Sequence, residues 1–240
     1  MDIVLSSRRK RLNIQVPAYG TRRMTEIIRR FGLTENMKRL RKHWKETNLL
    51  HDHTNRSKKY VPEAMVVSRS NNLWGTNFTK VHINGCSGGY FTASLDLCSR
   101  KIRGQLYSEK AKSNEIIVAL DSAPFSTPPD RNVWEPSIWS DKGSQLTSNK
   151  YENTRKTLGN NNGTIHLNTP KKDTYIESYV GHFMEYYIYG SERNSFNKFR
   201  YCMDIALRDS NSVRPHSILN YLTPYEFEER IATDGFFEKK

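Results

Sequence analysis

The sequence predicts an α/β fold, a mixed sheet in the order βββαβαβαα behind a small basic helical pair. Three observations carry that prediction. From Trp74, three runs of strand-forming residues follow one another across short turns, which makes an antiparallel meander. Beyond it, helical patterns alternate with two short strand candidates, "SIWSD" and "TIHL". Ahead of it lie two amphipathic stretches rich in arginine and lysine. The expected organisation is a basic helix-turn-helix-like region over 1–51, a linker over 52–72, an α/β core over 73–230 and a tail over 231–240.

The first helix follows from "YGTRRMTEIIRRF", where Met24, Ile27, Ile28 and Phe31 recur at helical spacing. Gly32 is its expected stop, and Thr34 the expected cap of the next helix, whose apolar stripe is Met37, Leu40 and Trp44. The strand "WGTNFTKVHI" runs to the hairpin signal Asn84-Gly85. "YFTASLDLC" and "IRGQLYS" supply the second and third strands, with "SRK" between them. A helix capped by Ser113 follows, then the strand "SIWSD", a helix from about Ser148 to Gly159 and the strand "TIHL". The loop "NTPKKD" leads to the helix "TYIESYVGHFMEYYIYG", and "NSFNKFRYCMDIALRD" forms another. Thr223-Pro224-Tyr225-Glu226 has the form of an N-cap, a proline at the first helical position and a capping-box glutamate.

Composition narrows the function. A chain of 240 residues with 36% hydrophobic content can bury a sizeable core. No apolar run approaches the roughly 20 residues a membrane span needs. The N-terminal charges follow a very short apolar patch, the wrong order for a signal peptide. Cys86, Cys98 and Cys202 are odd in number and far apart, which suits reduced thiols in a cytoplasm better than disulfides or a zinc site. The net charge is +13; residues 1–62 hold 16 Lys+Arg and 5 Asp+Glu, so 16 − 5 = +11 of it lies there. A surface this basic favours a polyanion, and nucleic acid is the commonest. His43, His51 and His53 have no cysteine nearby and are expected to be solvent-exposed.

Two acids suggest chemistry. Asp141 ends a short strand and precedes Gly143, a usual place for a metal ligand and also a common turn. Glu177 falls in the first turn of a predicted helix, where the helix dipole alone could account for it. Residues 142–176, 35 in all, separate them and can return the helix over the strand. Asn77, in "WGTNFTK", is a polar residue on a strand that needs a partner if buried.

Six stretches in order, "AYGTRRM", "LWGTNFT", "SLDLCSRKIRG", "WSDKGSQLTS", "IESYVGHF" and "VRPHSILNYLTPYEFE", resemble motifs of the second-reading-frame transposases of bacterial insertion sequences, whose catalytic core is similar to retroviral integrase. "AYGTRRM" resembles their helix-turn-helix opening, and "LWGTNFT" their Trp-x-Thr-Asp-x-Thr strand. "SLDLCSRKIRG", "WSDKGSQLTS", "IESYVGHF" and "VRPHSILNYLTPYEFE" resemble the motifs that follow. The resemblance covers nearly the whole chain and implies an RNase H-like core in which three carboxylates hold two Mg²⁺ (or Mn²⁺) ions for phosphoryl transfer. The three positions match Asn77, Asp141 and Glu177, so the first carboxylate is replaced by an amide. The implied activity is binding of element-end DNA followed by cleavage and strand transfer, impaired by Asn77. The alternative is a catalytically inactive DNA-binding remnant or regulator.

Further departures are Met184 in place of a basic residue on the Glu177 face, Asp173-Thr174, Arg155, and Asp209-Ser210. Asp96 could lie near the site but is filled in the family in addition to the three acids, so compensation is not expected. The expected double-stranded DNA contacts, at transposon ends and target, are Arg22, Arg23, Arg29, Arg30, Lys38, Arg39 and Lys42, with Lys142, Lys171 and Lys172 beside the acidic site. A solvated face and loop lysines are the competing explanations. Arg214 and His216 are expected to form a structural turn. The implied partners are further copies of the chain, as a homo-oligomer, and the first-reading-frame protein of the same element. The implied setting is a bacterial or archaeal cytoplasm, at the nucleoid, with no membrane.

Overall fold

A computed structural model describes residues 20–33, 36–46, 69–84, 88–109, 118–119, 122, 137–140, 165–167, 170–187 and 195–234. The expected helices from Ser113 and from Ser148, and the cap Thr34, lie wholly or largely outside these residues. Among the described residues no helix is long and apolar enough to cross a membrane.

Five strands form one sheet in the order β3-β2-β1-β4-β5. Strands β1 (Leu73–Val81), β2 (Gly89–Asp96) and β3 (Ile102–Ser108) are the antiparallel meander. The short strands β4 (Ser137–Ser140) and β5 (Ile165–Leu167) add on the other side of β1, both parallel. Parallel neighbours need a crossover between them, and the long intervals before β4 and β5 supply the chain for it. This is the mixed sheet that the alternation of patterns predicts.

Helices α1 (Thr21–Arg30) and α2 (Met37–Glu46) precede the sheet; α3 (Pro170–Tyr187), α4 (Phe196–Ser212) and α5 (Pro224–Asp234) follow it. Helix α1 buries Met24, Ile27 and Ile28 and ends as predicted at Gly32, whose φ of 75° suits a residue without Cβ. The amides of Gly32 and Leu33 return to the carbonyls of Arg29 and Ile28, the two bonds of a Schellman motif. Phe31, expected in the apolar stripe, is 63% exposed because the chain has already left the helix there. Asn36 caps α2, its Oδ1 accepting from the Lys38 amide at 2.9 Å.

Helices α3 and α4 cover one face of the sheet. Phe91 of β2 stacks on Phe183 of α3, and Tyr107 of β3 meets Phe199 of α4 edge to face. Helix α3 starts at Pro170, earlier than predicted, because proline is favoured at a first helical position. Lys171 and Lys172 therefore belong to the helix rather than to a loop, and Glu177 sits two turns in rather than in the first turn. Helix α5 runs to Asp234, past the predicted core boundary at 230. The capping box holds: Glu226 N donates to Thr223 Oγ1 at 3.2 Å and Thr223 N to Glu226 Oε2 at 2.7 Å.

The hairpin motif and the C-terminal motif meet in one buried ion network. Asp96, fully buried, accepts from the amides of Cys98 and Ser99 on Oδ1, and from Ser70 Oγ, the Asn71 amide and Arg103 on Oδ2. Arg103 reaches Glu228 of α5, which also takes Lys101 at 2.9 Å. The end of the predicted linker is thus anchored to the core, since Ser70 and Asn71 are two of the groups that satisfy Asp96.

The "RPHS" segment is a structural turn, as expected. The guanidinium of Arg214 lies 4.0 Å from the centre of the Tyr186 ring, and His216 Nε2 is 3.0 Å from the Ser210 carbonyl. That acceptor requires the proton on Nε2. Burial, with the neighbouring Arg214 charge, lowers the His216 pKa from 6.5 to about 3. A depressed folded pKa gives stability that is complete above the unfolded value and lost as pH falls below it. Stability is therefore expected to fall by about 1.4 kcal/mol per pH unit from this group alone as pH drops below 6.5 towards 3. Urea titrations between pH 7 and 5 check this, and His216→Gln is expected to flatten the slope.

Candidate active site

The site begins at a glycine. Opposed residues of an antiparallel pair share a face, so Gly75 and Asn77 of β1 lie on the face of Leu95 and Ala93. That face is the one α3 covers. A Cβ on Gly75 would stand 2.6 Å from Ile176 Cγ1, so only glycine lets the helix approach this closely. Ile176 is buried, and Glu177, the next residue, is exposed at the helix edge. The contact brings the helix that carries Glu177 against the strand that carries Asn77, two residues or about 7 Å along from Gly75. Gly75→Ala is expected to cost about 1–3 kcal/mol by overpacking, measured by urea denaturation, and Ile176→Val in the same chain to recover part of it.

Asn77 is 8% exposed, and among the described residues its side-chain amide has no hydrogen-bond partner. Beside it, β1 pairs with β4 in parallel up to Thr76↔Ser140. Thr76 Oγ1 also donates to the Trp139 carbonyl at 3.2 Å, which fastens the two strands at this end. Asn77 follows Thr76 in the sequence and Asp141 follows Ser140; Asp141 and Lys142 lie outside the described residues. Lys171 and Lys172 are described in their helical backbone alone.

Two candidates from the sequence are placed elsewhere. Asp96 pairs with Trp74, three residues from the Asn77↔Ala93 pair and therefore on the opposite face, about 10 Å along the strand. Its carboxylate is committed to the ion network and does not join Asn77. Met184 is 1% exposed and in the core, so it does not share the open face of Glu177 and cannot touch DNA. That open face carries Ser178, Gly181, His182 and Glu185 instead. His182 is held in place by the Ser178 carbonyl, 2.6 Å from Nδ1, and by the Tyr186 ring. Spacing counted by sevens pointed to Met184 and passed over His182, because the closing of the core over the far end of α3 is not written in the periodicity.

Asp209 and Ser210, unusual against the family pattern, are integrated into the packing. The Tyr187 hydroxyl donates to Asp209 Oδ2 at 2.6 Å, and Tyr179 Oη lies 3.4 Å from Ser210 Oγ. Burial raises the pKa of both tyrosines, so the hydroxyls stay protonated.

The expected DNA-binding arginines divide by their seven-residue spacing. Arg22 and Arg29 face solvent, Arg29 pairing with Glu26 at 2.7 Å. Arg23 is half-buried and Arg30 exposed, and both are engaged by side chains from the far end of the chain. The Arg23 guanidinium lies 5.4 Å from the Tyr186 ring centre, and Arg30 forms two bonds to the Glu226 carboxylate, at 2.9 and 3.0 Å. Expecting these two to grip DNA overlooked the carboxylate and aromatic ring that the tertiary structure supplies. Lys38, Arg39 and Lys42 are exposed on α2.

The donor set at the site is all hard oxygen, which suits Mg²⁺ or Mn²⁺ in kind. In charge it falls short: the described residues contribute one carboxylate, Glu177, and one neutral amide, Asn77. Among the described residues no group of three His, Cys, Asp or Glu could hold a metal.

The sequence pattern of the integrase core domain matches residues 161–224. An uncharacterized 31.7 kDa protein of insertion element IS407, from Burkholderia multivorans, is 23% identical over 93% of this chain and 80% of its own length. A chain of the intasome of simian T-cell lymphotropic virus, solved in complex with PP2A regulatory subunit B56 gamma, superposes with a TM-score of 0.55. That match has 14% identity and covers 90% of this chain and 78% of the other. The catalytic core domain of BIV integrase covers 68% of this chain and 97% of its own, with 15% identity and a TM-score of 0.48.

Proposed function

We propose, for a chain that has the integrase-like core of an insertion-sequence transposase, that it binds the ends of its element and carries a phosphodiester-cleaving and strand-transfer site weakened at one corner. The observation that carries the reading is the approach of α3 to β1 at Gly75 and Ile176. It brings the helix that carries Glu177 against the strand that carries Asn77, while the β1–β4 ladder runs up to the residues just before Asn77 and Asp141.

Glu177, Asp141 and the Asn77 amide oxygen would hold the divalent cations. When bound, Mg²⁺ or Mn²⁺ supplies charge neutralisation at the scissile phosphate and at the attacking and leaving oxygens. The protein's own part is position. The buried strand holds Asn77, and the close-packed helix holds Glu177 at its exposed edge. The amide at 77 accepts as a carboxylate does but adds no negative charge. The exposed cations of α1 and α2 contact the DNA backbone, which fixes the register of the duplex. Lys142, Lys171 and Lys172 are assigned to the phosphates beside the site. Assembly with further copies, and with the first-reading-frame protein, belongs to the same reading.

A second reading, a DNA-binding descendant that does not cut, is favoured by Asn77 and by the burial of Met184. Asp209 and Ser210 weigh against general decay, because both are fully built into the fold. A strand-transfer assay with Mg²⁺ and with Mn²⁺ tests the choice. Slow but measurable joining that Asp141→Ala abolishes supports the weakened enzyme; no joining, with DNA binding retained, supports the second reading.

A further inference from the structure

We infer that the "NYLTPYE" segment of the core is a docking site for the basic helical pair, with Arg30 as its ligand and Arg23 as a second anchor. Arg30 Nη1 and Nη2 donate to the two oxygens of Glu226, and Nη2 also donates to the Tyr221 carbonyl at 2.6 Å. Three acceptor bonds to one planar guanidinium fix its orientation, which a lysine at this place could not reproduce. The receptor is built for the purpose. Asn220 and Tyr221 both have positive φ, 53° and 63°, and this turn presents the Tyr221 carbonyl to Arg30. Glu226 is held by the capping box, so its carboxylate is already oriented when Arg30 arrives.

About two turns away, Arg23 lies on the Tyr186 ring, which Arg214 and His182 also contact. Met24, Ile27, Ile28 and Leu40 join the same buried cluster as the sheet. The helical pair is therefore held in one orientation on the core. Its outward cations, Arg22 and Arg29 on α1 with Lys38 and Lys42 on α2, stand in a constant relation to Glu177. Arg30 and Glu226 are positioning residues. They set where a duplex gripped by the helices passes the candidate active site. The DNA half of this inference rests on the proposed function; the docking half does not.

Spin labels at Lys42→Cys and Arg208→Cys, both exposed positions, in a chain with Cys86 and Cys202 replaced by serine, measure the docking without DNA. One narrow distance distribution is expected. Arg30→Glu should broaden it, and Glu226→Gln, which keeps a capping acceptor, should broaden it in part. The charge swap Arg30→Glu with Glu226→Arg should narrow it again. A distribution that stays narrow in Arg30→Glu, or a swap that fails to narrow it, overturns the docking. Anisotropy with a 20-base-pair duplex across a salt series then reads the roles of the arginines. Arg22→Gln with Arg29→Gln should reduce the salt slope by about 2, and Arg30→Gln should leave it unchanged. A slope reduced by Arg30→Gln would make Arg30 a phosphate contact and overturn the assignment. If the unaltered chain binds no duplex, the DNA reading fails while the label distances still decide the docking.

Discussion

Replacing Asn77 with aspartate is expected to raise strand-transfer activity by roughly 30- to 1000-fold. A unit charge about 4 Å from a divalent cation gains on the order of 8 kcal/mol at an effective dielectric near 20. Desolvation of a nearly buried carboxylate takes back several kcal/mol of that. A net gain of about 2–4 kcal/mol, at 1.36 kcal/mol per decade, gives that range of rates. The same substitution has a signature apart from activity. Without metal, a carboxylate at a position 8% exposed and with no partner among the described residues should lower the melting temperature. Adding Mn²⁺ should restore it, at lower concentration than the Asn77 chain needs for a comparable shift. Thermal melts with and without Mn²⁺, beside the joining assay, check both halves. Restored metal binding without activity would place the remaining fault in DNA contact, where the buried Met184 has replaced an expected cation.

Removing Asp96 is expected to have the largest effect on stability. Asp96→Ala leaves Arg103 short of one of its two carboxylate partners and frees three backbone amides in a buried turn, while the Ser70 hydroxyl keeps Glu228 Oε1. Breaking a buried charged pair from one side costs about 3–5 kcal/mol. Glu228 keeps part of the Arg103 charge compensated, so the lower half of that range is expected. Asp96→Asn keeps an acceptor oxygen and should lose less. Urea midpoints of the two variants measure the difference, and an unchanged m-value would show that the denatured state is not what moved. Equal losses in both variants would mean that the charge contributes little and the backbone bonds dominate.

Much of the fold was legible before any coordinates. The helix stop at Gly32 and the capping box at Thr223 rest on contacts within a few residues, and the meander pairs only strands adjacent in sequence, so local chemistry suffices for these. The start of α3 at Pro170 was misplaced because "NTPKKD" has the composition of a loop, although proline also suits a first helical turn. The candidate site was legible as three positions and a spacing. That Asn77 and Glu177 belong to facing elements depends on Gly75, whose missing side chain admits Ile176. Nothing around Gly75 in the sequence marks it as more than a small residue in a strand.

The arginines show where reading by pattern stops. Four of them on one helix carry the same charge, and the sequence by itself determined only that this helix is basic on several sides. The tertiary structure decided that Arg23 and Arg30 meet Tyr186 and Glu226 while Arg22 and Arg29 meet solvent. The reason is physical. Helical periodicity assigns residues to faces, but a face acquires its role from the element packed against it, and that element lies more than 150 residues away along the chain. Asn77 is the reverse case. Its missing charge is a property of the residue alone and was complete in the sequence, whereas its burial, and the helix that faces it, required the fold.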